Sequence, residues 1–336
     1  MEEKSNLMLD LFQAEDIWKI CSQREGEKKI GESMFAGSDF LDESIKNCPA
    51  QFVVIGIPED VGPRANSGRG GAESAWKAFL PKFINLQETN RLKGSEILLL
   101  GSFDFRTIEG YEFGSLKRLR EVVAIIDHSV SALIESVIKT GKTPIVIGGG
   151  HNNSFGLLKG TSKALNRPVN CINLDPHADY RALEGRHSGN GFSYAKKEGY
   201  LEKYSIVALH ENYNSQEMID RMELDLVDYS TYEAIFLREE INYLDAIDIS
   251  LSFVGAEPFG VELDCDAIEN FPSSAQTPSG VSALQARQYV HCAARLPNAS
   301  YLHLPEAAPS LIEDSAPQTG KMLSYLVSDF IKSKKG

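Results

Sequence analysis

The sequence predicts an α/β protein, a three-layer αβα sandwich around a mainly parallel central sheet. Three observations predict it. Short apolar runs rich in β-branched residues recur along the chain, and such continuous runs belong to strands covered on both faces. Amphipathic helical pattern fills the gaps between them, the alternation that builds parallel crossovers. No internal repeat and no Pro/Gly/Ser linker divides the 336 residues, a length that one large α/β unit can occupy.

We read residues 1–50 as an N-terminal extension and residues 51–336 as a single domain. The first strand is expected over 51–57, QFVVIGI. A Gly-rich stretch follows it, GIPEDVGPRANSGRGGAESAW over 56–76, and contains neither GxGxxG nor GxxxxGK[ST], so it is not a phosphate loop. After a strand over 96–100, residues 121–140 carry Ile126, Val130, Leu133, Ile134 and Val137 at helical spacing, with Gly141 as the C-cap. Further strands are expected over 144–147, 169–174, 204–209, 260–263 and 301–304. Met322, Leu323, Leu326, Val327, Phe330 and Ile331 form a closing amphipathic helix before a solvated basic tail, KSKKG.

Composition narrows the partners. Lys and Arg total 34 against 47 Asp and Glu, a net charge of −13, which repels phosphate backbones and anionic membranes. The five cysteines are odd in number and form no CxxC pair, as expected of reduced, buried thiols. MEEKSNLMLDLF places acids where a secretory signal carries lysines. No apolar run approaches the about 18 residues of a membrane span. The expectation is a cytoplasmic protein with no membrane or nucleic-acid partner.

Three strand ends gather acids and histidines. In IVIGGGHNNSFG three glycines precede His151; they let the backbone turn and deliver the imidazole to the crevice at the carboxyl end of the sheet. In CINLDPHADYR, Asp175, His177 and Asp179 stand at i, i+2 and i+4, and an extended backbone would turn all three to one side. In FGVELDCDAIENFPSS, Asp264 and Asp266 repeat that spacing. Four carboxylates and two imidazoles converging in a low-dielectric crevice repel one another unless cations lie between them, and the set suits two divalent ions bridged by shared carboxylates.

In order and spelling, GGGH, DPHAD and ELDCD resemble the elements of the ureohydrolases, the family of arginase, agmatinase and formimidoylglutamase. YLHLPEAAPSL resembles that family's late strand. The resemblance covers residues 50 to 330 and implies an arginase-like fold. It further implies two Mn2+ ions, one held by His151, Asp175, Asp179 and Asp264 and the other by Asp175, His177, Asp264 and Asp266. Nickel, cobalt, iron or zinc would accept the same donors. The implied reaction is hydrolysis of a linear amidine C–N bond by metal-activated water, with Asp179 as proton carrier and Glu306 holding the guanidinium or amidinium group. Family members form trimers or hexamers, so a homo-oligomer is an expectation of the resemblance.

Departures from arginase direct the substrate reading. GRHSGNGF places Ser188 where arginases and agmatinases carry a proton-transferring histidine, and serine there, like the GGGH spelling, resembles the formimidoylglutamase branch. Arg181 is expected at the rim of the metal site, as a carboxylate-binding fork or else paired with Glu184. Arg64, Asn66 and Arg69 of the Gly-rich stretch are further donors for a small anionic, amino-acid-like substrate, with Ser188 and Asn190 beside them. His210 either lines the crevice near Tyr213 and Asn214 or is a satisfied core histidine, whereas His128, His291 and His303 read as packing residues. The function so implied is N-formimino-L-glutamate to L-glutamate and formamide. The alternatives are arginase or another guanidino-acid hydrolase, a non-catalytic metal-binding relative, or a zinc deacetylase, for which no paired histidines are found.

Overall fold

The computed structural model describes residues 8–38 and 41–335. Among these, ten strands form one sheet: β1 Leu9–Leu11, β2 Phe35–Ala36, β3 Phe52–Gly56, β4 Ile97–Phe103, β5 Thr143–Ile147, β6 Val169–Leu174, β7 Leu201–Leu209, β8 Asp228–Thr231, β9 Phe259–Leu263 and β10 Ala299–Leu304. Their order across the sheet is β1-β4-β3-β5-β10-β9-β6-β7-β8, with β2 also on β4. Only β1 runs antiparallel to its neighbour among the described pairings.

Each of the seven expected strands is present, displaced by a few residues at most at its ends. They are legible because both faces are buried. In β3, Phe52 and Val54 pack on one side with the helices Ala75–Phe83, Tyr243–Val254, Ala283–Ala294 and Ala316–Lys334. Val53 and Ile55 pack on the other with Leu116–Lys139, Asn153–Leu165 and Gly191–Lys197. The strand period of two thus divides each apolar run between two cores, and each buried aliphatic side chain contributes about 1.5–3 kcal/mol. The three-layer αβα sandwich is the result.

The helix expected from 121 starts earlier, at Leu116, because the Ser115 side chain accepts a hydrogen bond from the Arg118 amide at 3.3 Å. It ends at Lys139, and Gly141 takes the left-handed conformation that a C-terminal cap needs, at φ +77°. The described part of residues 1–50 adds β1 and β2 to the free edge of β4 and buries Ile17 and Ile30 beside Phe79. The acidic stretch Met1 to Asn6 lies outside the described residues, as does Gly336 of the basic tail. No helix among the described residues is long and apolar enough to cross a membrane.

Candidate metal centre

Because β5, β10, β9 and β6 are consecutive and parallel, their carboxyl ends bring residues 148–151, 305–306, 264–266 and 175–179 side by side. Local backbone then aims each side chain. Gly148 and Gly149 sit at φ +82° and +73°, conformations open to glycine at little cost, and this turn delivers His151 into the crevice. Glu59 supports the turn from below: its Oε1 accepts the Gly150 amide at 2.9 Å and Asn153 Nδ2 at 2.7 Å, and its Oε2 accepts the Val61 amide at 2.7 Å. Burial pushes the Glu59 carboxyl above its usual range against these donors.

The acids do not converge by extended backbone, as their spacing suggested. After Leu174 the chain turns, with Asp179 at φ +46°, and Cys265–Ala267 is a 3₁₀ turn in which Asp264 Oδ1 accepts the Asp266 amide at 2.7 Å. The side chains meet nonetheless. His151 Nδ1 lies 2.9 Å from Asp264 Oδ2, 3.0 Å from Asp179 Oδ2 and 3.1 Å from Asp175 Oδ2. One donor atom from each of these four residues falls within 4.8 Å of the others. The second set is looser, with His177 Nδ1 3.6 Å from Asp175 Oδ1 and 3.8 Å from Asp266 Oδ2.

Electrostatics test whether cations fit. Burial and the neighbouring Asp266 and Asp175 push Asp264 well above the carboxylate range, and burial likewise raises Asp179 and Asp266. His177 is lifted to about 10 by the hydrogen bond and charge of Asp175 against the opposing effect of burial. These shifts draw protons into the cluster; Asp175 alone among its carboxylates is held down to about 2, against burial, by the hydrogen bonds and charges of His151 and His177, so the cluster relies on the positive charge of its two imidazoles. Two divalent cations on hard oxygen and imidazole donors would supply that charge, so the residues fit such ions.

Glu306 stands at the cleft wall with φ +64°. Its Oε1 accepts the His151 amide at 2.7 Å, while its Oε2 is buried without a partner among the described residues. Burial, then the charge of Asp266, pushes its pKa up to about 8. The cleft, of about 160 Å³, is lined by His177, Asp179, Asp264, Asp266 and Glu306, and toward solvent by Arg181, Asn66, Ser188 and Tyr213. Arg181 is exposed, and its guanidinium has no partner among the described residues. The pairing with Glu184 is not found, because Glu184 meets Arg120 at 3.3 Å and His187 at 3.2 Å. Asn66 Nδ2 lies 3.5 Å from Ser188 Oγ.

Three expected substrate contacts are elsewhere. Arg64 is turned away from the cleft, bound to Asp60 at 2.8 Å and to the Glu112 and Tyr111 carbonyls at 2.9 and 2.7 Å. Asn190 is buried within its own loop, where its side chain meets Arg186, the His187 amide and the Gly185 carbonyl. His210 lies behind the cleft wall, its ring 5.3 Å from that of Tyr213 and 4.6 Å from that of Tyr232. His303, read as packing, is instead hydrogen-bonded to Glu262 at 2.6 Å. Sequence reasoning passed over Glu262 and Glu59. The available signals were a lone charge inside the apolar strand FGVEL and an acid beside the Gly-rich turn.

A mainly parallel αβα sheet that carries imidazoles and carboxylates along one edge defines the class of α/β proteins with an oxygen-rich metal centre. The chain belongs to the arginase family, whose model matches residues 50–331. Among relatives, a formimidoylglutamase of Macrococcus caseolyticus is 26% identical over 282 residues, 82% of each chain. Among solved structures, a Trypanosoma cruzi formiminoglutamase with Mn2+ superposes with a TM-score of 0.72 at 20% identity, over 91% of this chain and 98% of that one. A Bacillus subtilis formimidoylglutamase reaches 0.76 at 17% identity, over 94% of each. These two show the arginase fold.

Proposed function

We propose that this chain is a binuclear metal-dependent hydrolase of linear amidines, converting N-formimino-L-glutamate and water to L-glutamate and formamide. The observation that carries the substrate is the unpaired Arg181 guanidinium at the mouth of a cleft whose floor is acidic. A guanidinium fork binds carboxylates and repels cationic tails such as that of agmatine. The relatives named formimidoylglutamase support the same reading.

His151, Asp175, Asp179 and Asp264 would hold one ion, and Asp175, His177, Asp264 and Asp266 the other; manganese is the metal we propose. When bound, the ions supply Lewis-acid activation of water at neutral pH. The chain's own residues do the rest. Glu306 Oε2, buried and without a partner, accepts an N–H from the amidinium and fixes its planar carbon over the acids. Asp179, which lines the cleft where Asp175 does not, carries a proton on the carboxylate oxygen not turned to His151 to the departing glutamate nitrogen as the C–N bond breaks. Arg181, with Asn66 and Ser188, holds the carboxylate end. Residues 51–336 act as one catalytic domain, in a cytoplasmic homo-oligomer.

The test is hydrolysis of formiminoglutamate, arginine, agmatine and guanidinobutyrate by the manganese-reconstituted chain, with Asp266→Ala as the inactive control. Formiminoglutamate alone should be consumed. Arg181→Ala should raise its KM about 10- to 100-fold, the equivalent of one lost charged hydrogen bond. Turnover of arginine instead, or an unchanged KM, overturns the substrate assignment.

A further inference from the structure

Glu262 is a fully buried carboxylate in the middle of β9, where an apolar residue would serve the sheet at least as well. Register places it between His303 of β10 and Asn173 of β6. His303 Nδ1 lies 2.6 Å from Glu262 Oε2, the Tyr301 hydroxyl donates to Glu262 Oε1 at 2.8 Å, and the Tyr289 hydroxyl donates to the Glu262 carbonyl at 2.9 Å. The same Oε2 is 3.5 Å from His151 Nε2. That nitrogen has no hydrogen-bond partner among the described residues, although it is fully buried. The other ring nitrogen, Nδ1, faces Asp175, Asp179 and Asp264.

We propose that Glu262 is the positioning residue for His151: it accepts the Nε2 proton, and so keeps the Nδ1 lone pair turned toward the metal centre. His303 and Tyr301 hold the carboxylate in place for that task. Histidine ligands are oriented by such outer partners, and losing the partner weakens metal affinity about 10- to 100-fold. His303 Nε2 also lies 3.4 Å from the Gly148 carbonyl, so the network ties ring orientation to the turn that carries His151. The inference rests on the metal reading above and not on the identity of the substrate.

Manganese binding to the full chain by titration calorimetry tests it, in an Asp266→Ala background that leaves the His151 half of the centre. Adding Glu262→Gln, which lacks the charge, or Glu262→Leu, which lacks the acceptor, should weaken manganese binding about 10- to 100-fold. The metal-free melting temperature should fall in Glu262→Leu, which leaves the buried Tyr301 hydroxyl and His303 imidazole without their acceptor, and less in Glu262→Gln, which keeps an acceptor oxygen. In histidine 15N spectra of the metal-free protein, recorded at a pH high enough to deprotonate a ring that the facing carboxylates hold well above its usual pKa against burial, the His151 ring should shift from the Nε2–H tautomer to a mixture in both variants. Unchanged affinity with an unchanged tautomer in Glu262→Gln overturns the proposal, as does a lower melting temperature with unchanged affinity. If the unmutated chain takes up no divalent ion, the metal reading falls with it. If affinity responds as expected and formiminoglutamate is not consumed, only the substrate reading fails.

Discussion

His187 is held neutral by its partners. Its Nδ1 accepts the Gly189 amide at 3.1 Å, which leaves Nε2 to donate to Glu184 Oε1 at 3.2 Å. A proton on Nδ1 would face that amide hydrogen, and burial followed by the Arg120 charge lowers the pKa from 6.5 to about 4. A histidine depressed on folding contributes stability that is complete above its unfolded pKa and lost as pH falls through its folded one. Between pH 6.5 and about 4, stability should therefore fall, by up to roughly 3 kcal/mol on the scale of 1.36 kcal/mol per unit. His187→Gln should flatten that part of the urea stability–pH curve, and a curve of unchanged slope would contradict this account. The same loop shows why some residues were illegible in the sequence. Asp175, His177, Asp264 and Asp266 are polar groups at the ends of apolar strands, so local contrast reveals them. Arg64, Asn190 and His210 have equally suggestive side chains, but their occupancy is decided by Tyr111, Arg186 and Tyr232, which no local pattern connects to the centre.

Among the elements, the seven interior strands were legible because burial on both faces forces continuous apolar runs. β1, β2 and β8 were not. They occupy sheet margins, and β8, DYST, is half-buried throughout, so its composition carries little apolar signal. Helix contacts over one face of the sheet were equally hidden. The closing helix Ala316–Lys334 crosses Ala75–Phe83 at Gly320, where an added Cβ would stand 1.9 Å from the Ala78 carbonyl oxygen. That oxygen belongs to backbone and cannot swing aside, so the helices would have to separate. Gly320→Ala should destabilise the chain by about 1–3 kcal/mol, read by denaturant unfolding, although alanine favours helix by propensity. A neutral or stabilising result would show that the helices can part without loss.

For the whole molecule, an acidic chain of net charge −13 concentrates four carboxylates at one buried point, so bound cations should stabilise the fold as well as serve chemistry. Ligand at 100 times its dissociation constant adds about 2.7 kcal/mol per site. Manganese should raise the melting temperature and chelation should lower it, whereas an indifferent melting temperature would show that the acids are satisfied by protons alone. The strand order has a consequence for how the molecule comes together. β1 to β5 lie on one side of the sheet and β6 to β8 on the other, and β10 and β9 are inserted between them. Each flank can assemble from neighbouring stretches of chain, but the seam closes only when the late strands arrive, so the pairings that join the flanks are among the most remote in sequence and the slowest to form. His151 and Glu306, 155 positions apart, meet across that seam. The complete set of metal ligands, drawn from both flanks and from the late strands, therefore exists only once the seam has closed, and any fault in the late strands leaves two flanks with no centre between them.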